Sequence, residues 1–135
     1  RKSGCRTVGC ESQVTESPPS FPRSPCPIVS ALDLVGDSWT LVIVRDLAMG
    51  KARFAQFLQS PEGITTSILA DRLRRLEAAG VVSRTAYQER PVRHAYELTA
   101  KGRDLIPVLQ ALARWSGTWT PGCWTPPDRF WTLRP

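Results

Sequence analysis

Three segments decide the fold: Ala52-Arg53-Phe54-Ala55-Gln56-Phe57-Leu58, Gly63-Ile64-Thr65-Thr66-Ser67-Ile68-Leu69, and Leu73-Arg74-Arg75-Leu76-Glu77-Ala78-Ala79-Gly80-Val81-Val82. The first reads as a short helix presenting Phe54, Phe57 and Leu58. Ser60-Pro61-Glu62-Gly63 ends it, a run of turn residues. A second helix then opens at Thr65, whose hydroxyl suits the N-cap, and stops at Gly80 before a strand. At about 100° per residue, Leu69, Leu73 and Leu76 share one side and face a core, while Ser67, Asp71, Arg74 and Ala78 point away from it. A short helix, a turn and a capped basic helix make a helix-turn-helix, whose second helix enters the DNA major groove.

The segments on either side extend this unit. Val82–Tyr87 and Arg93–Leu98 read as two strands joined by a turn over Gln88–Val92, a hairpin with a basic tip. The fold class expected is mainly α with a small β-hairpin wing, a winged helix-turn-helix. Upstream, a helix over Pro27–Val35 has Pro at its first position and Gly36 after its end. Asp37 or Ser38 caps the next helix, which supplies Trp39, Val42, Ile43 and Leu47 and closes at Met49-Gly50. Downstream, Thr99 caps a long helix from Ala100 to about Trp115, bent at Pro107. Three regions follow: a disordered Ser/Pro-rich arm over 1–25, the winged domain over 26–117, and an aromatic, Pro-rich tail over 118–135. From Gly117 onward the prolines and glycines argue against regular structure. Trp119, Trp124, Phe130 and Trp131 give the tail an apolar surface that folds over either the core or a dimer seam.

The formal net charge is +6, and residues 51–103 hold ten basic and five acidic groups of the total. Charge concentrated on the helix-turn-helix and wing is the footprint expected for a polyanion partner. Base-facing candidates are Thr66, Ser67, Ala70 and Asp71, with Thr65 at the head of the helix. Asp71 either accepts from a cytosine amine or pairs with Arg74 or Arg75, and the pairing is the favoured reading. Arg74 points toward the groove, and Arg72 and Arg75 are read as flank-phosphate or intra-protein groups. Lys51 and Arg53 begin the helix that crosses the DNA backbone, so both are phosphate candidates; the alternative for Arg53 is a brace to Glu62. Arg90 and Arg93 flank the wing tip, where a phosphate or minor-groove contact is expected.

Catalytic chemistry is sparse. The chain has one histidine, His94, in a wing strand, too few for an imidazole-based metal triad, and no Ser-His-Asp array is expected around it. Cys5, Cys10, Cys26 and Cys123 lack the paired close spacing of zinc sites. Neither an enzymatic activity nor a metal or cofactor is expected. No stretch has the ~18 apolar residues of a membrane span, and the polar start lacks a signal-type apolar run, so no membrane partner and a cytoplasmic location are expected. Cys26 precedes Pro27 at the head of a helix, where amide dipoles favour the thiolate; it is a candidate redox sensor or an inert neighbour of the cap. The stripe Leu105, Ile106, Leu109 and Leu112 is wider than one small domain needs. With Ile28 and Leu32 it is expected to form a homodimer interface.

At these same residues the chain resembles a known family. Cys26-Pro27-Ile28, Gly36-Asp37-Ser38-Trp39-Thr40, Arg53-Phe54, Gly63-Ile64, Leu69-Ala70-Asp71-Arg72-Leu73-Arg74-Arg75-Leu76-Glu77, Gly80-Val81-Val82, Tyr96-Glu97-Leu98-Thr99 and Gly102 follow the pattern of the HxlR-type winged helix-turn-helix regulators of prokaryotes. The resemblance spans residues 26–117. It implies a small homodimeric transcription factor on double-stranded DNA, dimerising through its terminal helices. Some members of that family sense thiol-reactive electrophiles through a cysteine at the position of Cys26. The function expected is a sequence-specific regulator on an inverted-repeat operator, responsive to an oxidant, an electrophile or a small ligand. The alternative is a winged-helix module that binds RNA or a protein through the same basic face.

Overall fold

The computed structural model describes residues 23–135. Its elements are α1 (Pro27–Val35), α2 (Thr40–Ala48), α3 (Phe54–Phe57), α4 (Thr66–Ala78), β1 (Val82–Glu89), β2 (Val92–Leu98), α5 (Ala100–Arg103), α6 (Ile106–Trp119) and α7 (Asp128–Trp131). The strands form one antiparallel hairpin, with Val82 opposite Leu98 and Glu89 opposite Val92. An α-rich body carrying such a hairpin is the winged helix-turn-helix that the periodicity predicts. The arm expected over 1–25 lies mostly outside the described residues, as do Cys5 and Cys10.

The core forms where the apolar faces of α2, α3 and α4 meet the base of the wing. Ile43, Val44, Phe57, Leu69, Leu73, Leu76, Val81 and Val82 are all buried. Thr65 caps α4, its Oγ1 accepting from the Ile68 amide at 3.4 Å. At the other end Gly80 has a φ of +76°, Val81 N–H bonds Leu76 C=O and Gly80 N–H bonds Glu77 C=O. This paired closure needs a left-handed residue, which glycine adopts without strain. The wing follows directly from it. Gly102 is fixed by proximity: a Cβ there would stand 2.2 Å from the Val81 carbonyl oxygen.

Four expectations are corrected here. The helix expected from Ala100 to Trp115 is two helices, because Pro107, lacking an N–H, sits in the first turn of α6 rather than in a helix interior. The wing turn is tighter than Gln88–Val92: the strands reach Glu89 and resume at Val92, leaving Arg90-Pro91 as the loop. Regular structure does not stop at Gly117, since α6 continues to Trp119 and α7 follows. In the expected dimer stripe, Ile106 and Leu109 are buried within the single chain and Leu105 packs half-buried against its core. These three lie on the inward side of a helix whose outward side is also apolar. That outward stripe is Val108, Leu112, Trp115 and Trp119, and Ile28 and Leu32 of α1 are exposed as well.

The tail returns over the core rather than away from it. Phe130 is buried among the core residues. Gln110 Nε2 of α6 donates to the carbonyls of Phe130 at 3.0 Å, Leu133 at 3.3 Å and Trp131 at 3.5 Å.

Candidate nucleic-acid interface

Two ion-pair clusters brace the helix-turn-helix, one tying α4 to the head of α2 and one holding the turn before α4. On the first side, Arg72 Nε donates to Asp37 Oδ2 at 2.9 Å. Asp37 also accepts from the Trp39 amide at 3.0 Å, the Thr40 amide at 3.2 Å and the Thr40 hydroxyl. Partial burial alone would raise the Asp37 carboxyl. The hydrogen bonds from Arg72, Thr40 and Trp39 outweigh that and hold it well below the ordinary carboxylate range. Its Asp37 partner likewise raises the Arg72 guanidinium. Arg72 is therefore a structural tie between α4 and the head of α2.

On the second side, Arg45 grips the turn. Its Nη1 and Nη2 donate to Glu62 Oε2 at 2.8 Å and Oε1 at 2.9 Å, a bidentate pair. Its Nε and Nη2 also reach Asp46 Oδ1 at 3.0 and 2.8 Å. The hydrogen bond to Glu62 raises the Arg45 guanidinium and lowers the Glu62 carboxyl. Asp46 is buried and further held by the Ser60 hydroxyl. Lys51 Nζ donates to Ser60 Oγ at 2.7 Å and lies 3.6 Å from Asp46 Oδ2. Lys51, a phosphate candidate by sequence, is about one third exposed, with its ammonium facing the buried Asp46 and Ser60. The alternative of a brace between Arg53 and Glu62 is corrected, because Arg45 fills that role.

Held in this way, α4 leaves Thr66 and Ser67 exposed and Ala70 half-buried. Thr65 is exposed with its hydroxyl engaged in the cap. Asp71 bonds Arg72 Nη1 at 2.6 Å and Arg74 Nη2 at 3.0 Å, so it pairs within the helix, with Arg72 and Arg74 rather than Arg75. Arg74 keeps 70% of its side chain exposed, with the Asp71 contact orienting it.

The wing brings distant arginines to two neighbouring clefts. Ala52 C=O accepts from Tyr96 N–H at 2.7 Å, and Arg53 bridges Ala95, so the head of α3 is attached to β2. Gln56 Oε1 accepts from both the Ala52 and Arg53 amides at 2.8 Å and fixes that junction. The Arg53 guanidinium then stands 4.2 Å from the ring centre of Tyr87, a cation–π contact. A β-bulge between Ala86 and Gln88 leaves Tyr87 without a partner in the ladder. Arg53, Gln56, Tyr87, Arg93 and His94 line a cleft of about 640 Å³. A second cleft of about 230 Å³, between α4 and the wing, is lined by Ala70, Arg74, Glu77 and Arg84. Phe54 and Tyr96 line both clefts, so the two are neighbours. Arg53 and Arg93 thus line the first cleft, Arg74 and Arg84 line the second beside the recognition helix, and Arg90 is exposed at the wing tip.

Two members of these clefts escaped sequence reasoning. Arg84 lies 3.3 Å from Glu77 Oε2, linking wing to α4, and its place in β1 is visible only once strand and helix are juxtaposed. Tyr87 sits at a bulge that no local pattern marks. Cys26 stands at the N-cap of α1, half-buried, with its amide donating to Ser24 Oγ at 3.0 Å. Cys123 is exposed. Among the described residues, no group of three or more His, Cys, Asp or Glu side chains is gathered to hold a metal. No single helix among them is long and apolar enough to cross a membrane.

Known proteins share this arrangement. The HTH-type transcriptional regulator sll1512 of Synechocystis is 39% identical over 94 residues, covering 70% of this chain and 70% of that protein. Rv3095 of Mycobacterium tuberculosis, also described as an HTH-type transcriptional regulator, is 40% identical over 100 residues; these span 74% of this chain and 63% of the longer relative. The redox regulator HypR in its reduced form superposes with a TM-score of 0.63 at 34% identity, covering 68% of this chain and 91% of HypR. Residues 34–122 match the family model for the HxlR-like helix-turn-helix. With two thirds of its length matched and the helix-turn-helix and wing in place, the chain belongs to the HxlR-like helix-turn-helix family of transcriptional regulators.

Proposed function

We propose that this chain regulates transcription in the cytoplasm as a homodimer on an inverted-repeat operator. In this reading Thr66, Ser67 and Ala70 meet base edges, while Arg53, Arg74, Arg90 and Arg93 meet phosphates. The observation that carries it is the pair of neighbouring arginine-lined clefts, one at the head of α3 against the wing and one between α4 and the wing. Second-copy contact through α1 and α6 is supported by the row Val108, Leu112, Trp115 and Trp119, which recurs at helical spacing and is left uncovered by its own protomer. Two-fold pairing doubles the sequence read, with half-sites about one helical turn apart.

A thiol response at Cys26 belongs to the same proposal. Its place at the head of α1, beside Ile28 of the proposed seam, means that oxidation or alkylation there would disturb the spacing of the two recognition helices. Similarity to HypR, solved in reduced and oxidised forms, supports this reading.

The test is to select duplexes from a random pool with the full chain and measure the stoichiometry of the complex by sedimentation. Two protomers on a duplex with inverted repeats are expected. One protomer binding a single half-site at full strength would overturn the dimeric reading.

A further inference from the structure

The returning tail walls one side of a half-open pocket as well as completing the core. Trp124, Pro126 and Phe130 face Leu41 of α2, Met49 just beyond its end and Ala113 of α6 across a pocket of about 260 Å³. Its wall is apolar apart from one residue, Arg45. That guanidinium is already committed to Asp46 and Glu62, so it offers no free charge to an ionic guest. Pro126 and Pro127 add no N–H donors to the tail side. A polar or charged occupant would therefore enter at a desolvation cost that nothing in the wall offsets. Dry apolar cavities of about 150 Å³ accept a single benzene ring. This pocket is larger than that and smaller than drug-sized sites, which begin at about 300 Å³.

We propose that this pocket binds a small, neutral, one- or two-ring aromatic molecule, and that Arg45 transmits its occupancy to the turn of the helix-turn-helix. Arg45 lines the pocket and holds Glu62 in the turn between α3 and α4, so a guest that shifts Arg45 shifts the turn that leads into the recognition helix. The proposal deepens the regulatory reading by naming a ligand site, and its regulatory meaning rests on that reading.

The experiment follows the tryptophan indole and backbone amide signals of the full chain by NMR during titration with naphthalene, with 1-naphthoate as a charged probe of the same ring size. Comparison with Trp124→Phe identifies the Trp124 signal. Naphthalene is expected to shift that signal saturably, and 1-naphthoate to bind about tenfold more weakly or worse, because its carboxylate has no partner in the wall. Ala113→Leu occupies the pocket and should weaken naphthalene about tenfold while circular dichroism stays unchanged. The Glu62 and Gly63 amides should move with naphthalene in the wild type but not in Glu62→Gln, which lacks the carboxylate that Arg45 grips. No saturable shift at Trp124, tighter binding of 1-naphthoate, undiminished binding by a folded Ala113→Leu, or turn amides that stay still would each overturn the proposal. The comparison of the two probes needs no variant to fold. Every measurement is made without DNA, so failure of the pocket and failure of the DNA-binding reading are separate results.

Discussion

Arg72 of the recognition helix and Asp37 at the head of α2 are joined by a 2.9 Å hydrogen bond from Nε to Oδ2 across 35 positions of sequence. One carboxylate thus serves two helices, taking the free amides at the start of α2 and a guanidinium from α4. Asp37→Ala removes a cap and a charge-assisted hydrogen bond together, and should lower stability by about 1–3 kcal/mol, read from the urea midpoint at neutral pH. The sign of the pH dependence follows from the lowered carboxyl. Its contribution is whole above the unfolded-state value of about 3.9 and is lost as pH falls through the lower folded-state value. Wild type should therefore lose stability on acidification more steeply than Asp37→Asn.

The network behind the turn separates scaffold from DNA contact. Glu62 is partly solvated, so Glu62→Ala should cost no more than about 1 kcal/mol. Arg45→Ala should cost more, about 1–3 kcal/mol, because it removes two hydrogen bonds from the buried Asp46 carboxylate. Lys51→Ala should lower the urea midpoint and leave the salt dependence of DNA binding unchanged. A flattened salt dependence in that variant would restore Lys51 to the phosphate contacts.

What was legible in the sequence is what a local pattern encodes. The spacing of Leu69, Leu73 and Leu76, the cap at Thr65 and the stop at Gly80 are properties of a few neighbouring residues, and each stands as expected. The Arg72–Asp37 tie and the Arg45 grip on Glu62 join residues from separate elements, so composition and periodicity do not contain them. The α6 stripe was visible as apolar, but both sides of the helix are apolar there. Only the packed structure assigns Ile106 and Leu109 inward and Leu112 outward. Tyr87 was hidden for the opposite reason: a bulge breaks the alternation by which a strand residue is placed. The tail's aromatic content marked it for burial without naming where, and Phe130 found the gap beside α6.

That division of α6 sharpens the test of assembly. Leu112→Glu places a carboxylate on a side chain that is 48% exposed in its own protomer, so the fold should survive while the dimer dissociates. Leu109→Glu buries an unpaired charge in the protomer core and should unfold the chain. Sedimentation together with circular dichroism distinguishes the outcomes. Dimers that persist in Leu112→Glu would move the seam elsewhere.

Cys26 should react faster with a small electrophile than Cys123, despite the greater exposure of Cys123, because it stands at the head of α1. Cys26→Ser should retain DNA binding and lose its sensitivity to oxidant. Trapping rates by mass spectrometry, combined with DNA binding before and after treatment, check both. Slower reaction at Cys26 than at Cys123 would make it a structural residue.

The most direct test of the central claim is the slope of log affinity against log salt for a selected duplex, measured for wild type, Arg53→Ala, Arg93→Ala and Ser67→Ala. The two arginine variants should each flatten the slope by about one unit and weaken all sequences alike. Ser67→Ala should keep the slope and narrow the gap between the selected and scrambled duplexes by about 1–3 kcal/mol. Unchanged slopes in both arginine variants, with discrimination intact in Ser67→Ala, would contradict the assignment of this surface to DNA.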